Sequence, residues 1–227
     1  KTIRELLKSI GVEYRSKSDQ HHIRYNTEID HNAFDKLTPD ALYWIGMLYT
    51  DGHVETKKES SLELTLHKND ITHLEKFKLF LKSNRKISKG NGDCLRVRVN
   101  SKQLVNKLVD LGFTSNKSIT IFPHDLLKES KDFWRGCIDG DGGIYSKVHN
   151  KLYEQLFFCG TLETIFEFII FCVKYTDIKD RKYPTICNGK NLYEVSYYGQ
   201  DAKKICTISF VNNNKCCMFV FQMVVYG

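Results

Sequence analysis

A pattern that occurs twice constrains this chain more than any other feature. The segment Tyr43-Trp44-Ile45-Gly46-Met47-Leu48-Tyr49-Thr50-Asp51-Gly52 returns ninety residues later as Phe133-Trp134-Arg135-Gly136-Cys137-Ile138-Asp139-Gly140-Asp141-Gly142. Both copies carry an aromatic pair, a Gly, an apolar pair, a small residue and a closing Asp-Gly. Repetition of this kind makes two copies of one supersecondary unit the natural reading.

Each copy can be read locally. Thr38 followed by Pro39 is a helix start, with Thr38 as N-cap and Pro39 in the first turn, and Asp51-Gly52 is the stop. Leu62 to Lys68 alternates apolar and polar, the period of a strand, and Leu95 to Val99 does the same. Between them Asp70 is placed to cap a helix whose Ile71, Leu74, Phe77, Phe80 and Leu81 share a face. Asn100 or Ser101 caps a third helix that ends at Gly112. In the second copy, strands are expected over Gly143 to Val148, Leu152 to Phe158 and Tyr193 to Tyr197. Thr161 caps a helix carrying Leu162, Ile165, Phe166, Ile169 and Val173, and Lys89 to Gly92 reads as a hairpin turn.

The expected architecture is therefore α+β: two pseudo-symmetric αββαββα repeats forming a saddle of antiparallel sheets, preceded by a short helical segment. In these terms residues 1–37 are an N-terminal basic segment, 38–115 the first repeat, 116–130 a linker and 131–227 the second repeat.

The repeated helix has a chemical implication. Gly46 and Thr50 stand four apart, as do Gly136 and Gly140, so each helix carries a stripe of small residues through which two backbones can approach. If the copies pack on each other there, Asp51 and Asp141 meet at two helix C-termini, where the carboxylates repel each other and the helix dipoles. A divalent cation would compensate that charge, and hard oxygen donors suit Mg²⁺. The alternative is that each Asp-Gly only punctuates a turn. On the strands, alternation leaves Arg96, Arg98, Glu63, Thr65 and His67 on an open sheet face, either an ordinary solvated surface or one that lies along a polynucleotide groove.

Composition bounds the partner. A formal charge of +7 fits a ligand carrying phosphates. The eight cysteines form no C-x-x-C pair, which argues against a zinc ribbon, and their apolar surroundings suggest buried thiols in a reducing, intracellular setting. No apolar run is long enough to span a bilayer, so no membrane partner is expected. His21, His22 and His31 lack the neighbours of a metal site.

The two motifs resemble the paired motifs of the single-chain LAGLIDADG homing endonucleases, loosely in the first copy and closely in the second. Thr114 to Ser118, followed by Phe122-Pro123, resembles that family's end of repeat one. The resemblance implies a monomeric, metal-dependent endonuclease acting on both strands of a long, asymmetric duplex DNA site. It implies catalytic metal ligands at Asp51 and Asp141, assisted by the Thr50 and Gly140 carbonyls, and a close helix interface at Gly46 and Gly136. Asp139 occupies the motif's other acidic position, replaced by Tyr49 in the first copy, and no metal is expected there. Lys117 and Lys215 correspond to the lysines of the family's basic pockets, although the Asn212 to Cys217 surroundings of Lys215 depart from the usual pattern.

The DNA-contacting set expected from the strands is Arg96, Arg98, His67, Thr65, Lys68 and Lys147. Arg15, Lys17 and Arg24 are expected to meet phosphate from a basic segment similar to those accompanying helix-turn-helix modules; a charged surface helix is the alternative. Within the same fold, an RNA maturase binding intron RNA and a non-cleaving DNA-binding regulator are the rival functions. No splicing residues frame the chain as an intein.

Overall fold

The computed structural model describes residues 9, 11, 28–56, 60–114, 122–148, 151–178, 182–187 and 192–210, with backbone alone at 146–148, 151–153 and 210. The first half runs α1 (Pro39–Thr50), β1 (Gly52–Glu55), β2 (Ser61–His67), a short 3₁₀ turn, α2 (Ile71–Phe80), β3 (Ser88–Lys89), β4 (Cys94–Asn100) and α3 (Lys102–Asp110). After a one-turn helix α4 (Asp125–Lys128), the order repeats. It runs α5 (Lys131–Asp141), β5 (Gly142–Val148), β6 (Lys151–Gly160), α6 (Leu162–Tyr175), β7 (Thr185–Cys187), β8 (Leu192–Tyr198) and α7 (Gly199–Phe210).

Each half builds one antiparallel sheet of the same topology, β1-β2-β4-β3 and β5-β6-β8-β7. The αββαββα pattern and the two-sheet α+β architecture expected from the repeat are present. Alternation decides which sheet face is buried. Leu62, Leu64, Leu66, Val97 and Val99 of the first sheet face the helices, as do Leu156, Phe158, Val195 and Tyr197 of the second.

The core is pseudo-symmetric around two fully buried tryptophans. Trp44 packs on Phe77 and Phe80 of α2, and Trp134 packs on Phe168 and Phe171 of α6. Aromatic pairs at centroid separations of 5–6 Å contribute beyond their buried area, so each tryptophan ties its motif helix to the second helix of its own half. The end of the N-terminal segment joins this core through Phe34, which is fully buried against Phe80.

Local signals explain most helix ends. The Thr38 hydroxyl accepts from the Ala41 amide, Ser101 from Leu104, Ser130 from Phe133 and Thr161 from Thr164. Gly112, at φ +91°, ends α3 in the left-handed region. Two local expectations need correction. Asp70 makes no side-chain cap, because a 3₁₀ turn precedes α2 and His67 Nδ1 accepts from the Asn69 amide there instead. Ile71 is substantially exposed, since α2 buries His73, Leu74 and Phe77, and so are Phe166 and Val173, since the buried face of α6 is centred on Ile165, Phe168, Ile169 and Cys172.

Candidate active site

The motif helices α1 and α5 cross at their glycines. A Cβ on Gly46 would overlap the Phe133 carbonyl oxygen and stand 2.9 Å from the Cys137 amide nitrogen. A Cβ on Gly136 would overlap the Tyr43 carbonyl oxygen and stand 2.9 Å from the Met47 nitrogen. Each glycine therefore faces the other helix's backbone, and only a hydrogen in place of Cβ lets the helices come this near. Cys137 adds a thiol contact, its Sγ donating to the Gly46 carbonyl at 3.7 Å.

This crossing carries both helix C-termini to one place. A Cβ on Gly140 would run into the Thr50 side chain and lie 3.0 Å from Asp51 Oδ2, so the Asp51 carboxylate lies against the residue preceding Asp141. Asp51 caps α1 and is half-buried; Asp141 is the last residue of α5 and is exposed. Neither helix has a basic residue in its last turn. Acids at two neighbouring negative dipole ends have the hard-oxygen chemistry that a divalent cation of the Mg²⁺ type fits. The Thr50 hydroxyl turns back to donate to the Met47 carbonyl at 3.0 Å.

The open face of the first sheet carries the side chains that alternation assigns to it. Arg98 is exposed, and Arg96 is half-buried with Nη1 3.6 Å from Glu63 Oε1. Thr65 donates to the same Glu63 oxygen at 3.3 Å. His67 is exposed at the end of β2, and Lys68 is engaged by Asp93 at 2.9 Å. Lys147 belongs to β5, and its side chain is not among those described. Arg15, Lys17, Arg24, Lys117 and Lys215 lie outside the described residues.

The second open face has a different chemistry. Tyr145 stacks on Phe157 at 5.5 Å, with Gln155, Ser196 and the exposed Tyr198 on the same side. At its far end Cys159 and Cys187 both point at Glu194. Here the expectation of buried thiols is corrected. Cys137, Cys172 and Cys206 are buried, but Cys94, Cys159 and Cys187 are only half-buried. Strand alternation turns Cys159, next to the core-facing Phe158, away from the core. Partial burial, with Cys187, Glu194 and, least of all, Asp141 nearby, pushes the Cys159 thiol up to about 12.

Sequence reasoning also missed a buried polar chain between the halves. Tyr43 on α1 donates its hydroxyl proton to Asp139 Oδ2 at 2.7 Å and meets His73 Nε2 at 2.8 Å. The Arg135 guanidinium sits over the Tyr43 ring at 4.8 Å and pairs with Asp132 at 3.0 Å. At the pseudo-equivalent place, Tyr49 meets the Thr164 hydroxyl at 2.8 Å. Asp139 is thus a buried structural acid on the far side of α5 from the Asp51–Asp141 pair.

No family model and no curated protein matches this chain. Solved structures do. The I-SmaMI meganuclease, bound to an uncleaved DNA target with calcium ions, aligns over 80% of this chain and 87% of its own, at TM-score 0.53 and 13% identity. The LAGLIDADG meganuclease I-CpaMI, bound to uncleaved DNA, aligns over 80% and 88%, at TM-score 0.51 and 13% identity. The I-SmaMI LAGLIDADG homing endonuclease bound to cleaved DNA aligns over 76% and 82%, at TM-score 0.52 and 14% identity.

Proposed function

We propose that this chain, which has the LAGLIDADG fold, is a site-specific endonuclease that cleaves both strands of duplex DNA with Asp51 and Asp141 as its catalytic acids. The observation that carries the reading is that two pseudo-equivalent helices, each ending in one of these acids, cross so closely that Asp51 lies against Gly140, the residue before Asp141. The solved structures sharing the fold are of meganucleases bound to DNA. Both repeats lie in one chain, which supports action as a monomer.

Asp51 and Asp141, with the Thr50 and Gly140 carbonyls, would hold Mg²⁺, which when bound activates water and stabilises charge on a phosphodiester. The chain's own residues do the positioning. Gly46 and Gly136 bring the helix ends together, and the buried side chains behind them hold the acids in register. Arg96, Arg98, Thr65 and His67 offer donors to one half-site. The aromatic second face offers stacking and apolar contacts to the other, so an asymmetric target is expected. Lys117 and Lys215 are assigned to basic pockets beside the acids, and Lys68, Lys147, Arg15, Lys17 and Arg24 to phosphate contacts, on the resemblance alone.

Cleavage of a randomised duplex DNA library in Mg²⁺, beside Asp51→Asn and Asp141→Asn proteins, tests this. One cleaved sequence class, lost in both variants, supports the nuclease. Absence of cleavage by the folded wild-type chain, with tight binding of structured RNA, sinks it in favour of a maturase.

A further inference from the structure

The cluster at the end of the second open face uses neither acid of the proposed active site, although Asp141 lies near Cys159. Strand order β6-β8-β7 places Cys159 opposite Glu194, and Glu194 opposite Thr185. Leu156, Phe158 and Val195 point to the core, so Cys159 and Glu194 point the other way, and Cys187, two residues beyond Thr185, joins them. Cys159 Sγ lies 3.8 Å and Cys187 Sγ 3.7 Å from the same oxygen, Glu194 Oε2. The two sulfurs and a carboxylate oxygen all lie within 4.8 Å of one another.

Three candidate roles can be compared. A disulfide fails on topology: β8 runs between the two cysteines, so their Cα atoms are about 10 Å apart at ordinary strand spacing, beyond the roughly 7 Å that a disulfide spans. A simple hydrogen-bonded surface cluster leaves two weak thiol donors to each other and to one carboxylate oxygen, which is a weak use of both. A metal ion suits the set. Zinc–sulfur bonds of about 2.3 Å in a tetrahedral site put two sulfurs roughly 3.8 Å apart, within the spread seen here. The carboxylate is already oriented for this: Glu194 Oε1 accepts from the Ser196 hydroxyl at 2.9 Å, and Gln155 Nε2 donates to Ser196 at 3.3 Å, leaving Oε2 to the thiols.

We propose that Cys159, Cys187 and Glu194 form a binding site for a thiophilic divalent cation of the Zn²⁺ class, with a fourth position open to the face of the second sheet. Two sulfurs and one oxygen select Zn²⁺ over Mg²⁺, so the site differs in metal preference from the hard-oxygen acid pair. Binding displaces one proton from each thiol: Zn²⁺ gains two thiolate bonds, and two protons pass to solvent. The ion joins three neighbouring strands. It would clamp β7, a three-residue edge strand, to the sheet that Proposed function assigns to one DNA half-site.

The test uses the full chain, reduced and stripped of metal with a chelator. Co²⁺ is the optical probe, because thiolate ligation produces a sulfur-to-cobalt charge-transfer band; Zn²⁺ is then added as competitor. One equivalent of Co²⁺ with that band, displaced by Zn²⁺ with release of two protons, is expected. Cys159→Ser and Cys187→Ser should each abolish the one-equivalent band. Ser196→Ala, which alters no ligand, should weaken binding about 10- to 100-fold. Cys216→Ser/Cys217→Ser should leave the band intact. The proposal is overturned if no sulfur-to-cobalt band forms, or if the band survives in Cys159→Ser and Cys187→Ser while vanishing in the Cys216/Cys217 variant. Neither outcome bears on Mg²⁺-dependent cleavage, so the nuclease reading stands or falls separately.

Discussion

The Tyr43 hydroxyl donates to Asp139 Oδ2 at 2.7 Å across the boundary between the two halves. Its proton being spent there, the oxygen accepts from His73 Nε2 at 2.8 Å. Removing that one oxygen takes a hydrogen-bond partner from each of two buried groups. Tyr43→Phe is expected to lower unfolding free energy by about 1–3 kcal/mol, the cost of leaving buried polar groups unsatisfied. Urea unfolding would check it, with an unchanged m-value expected.

Burial lowers the His73 pKa from 6.5 to about 3, with Lys76 adding a smaller effect. The folded state therefore keeps this imidazole neutral while the unfolded chain protonates it. The stability contributed is full above pH 6.5 and is lost as pH falls from 6.5 toward 3. The measurement is thermal unfolding of wild type and His73→Gln from pH 7 to pH 4. The gap between the two proteins should narrow as pH drops; a constant or widening gap contradicts the assignment.

At the helix crossing, Gly46→Ala and Gly136→Ala force a methyl group into the opposing backbone. Each should destabilise by about 3 kcal/mol, the upper end of ordinary overpacking. Gly160→Ala is the comparison, because its Cβ would meet Thr164 at an ordinary 3.4 Å. That change is expected to alter stability by about 1 kcal/mol or less. Equal effects at all three sites would show that the crossing is looser than described.

On the first open face, Arg98→Gln should weaken duplex binding and reduce the slope of log affinity against log salt by about 1, if Arg98 meets a phosphate. Glu63→Gln frees Arg96 from its ion pair and should strengthen binding, most visibly at low salt. Binding isotherms at several salt concentrations decide both.

The elements above were legible in the sequence wherever one local period or cap decided them. Thr38, Ser101 and Thr161 cap helices because a hydroxyl beside the first turn satisfies an otherwise open amide. The close crossing of the two motif helices was legible because the motif occurs twice and its glycines can meet only where the backbones approach. Contacts set by register and topology were not. Nothing local to Cys159 and Cys187 says that Glu194 lies between their strands. Tyr43 reads as one more apolar helix residue until α2 brings His73 to it.

The two cross-boundary contacts differ in kind: a long phenol, Tyr49, reaches a hydroxyl, Thr164, while a short acid, Asp139, needs Tyr43 to reach an imidazole. The halves are therefore keyed to each other like unlike partners rather than like twins. Two first halves paired together would set Tyr49 against His73 with no acid to accept from Tyr43. Two second halves would set Asp139 against Thr164 with Phe133 in place of the relaying phenol. The molecule's left-right difference thus reaches from its surface into its innermost seam, and a half exchanged for a copy of the other would arrive with the wrong lock.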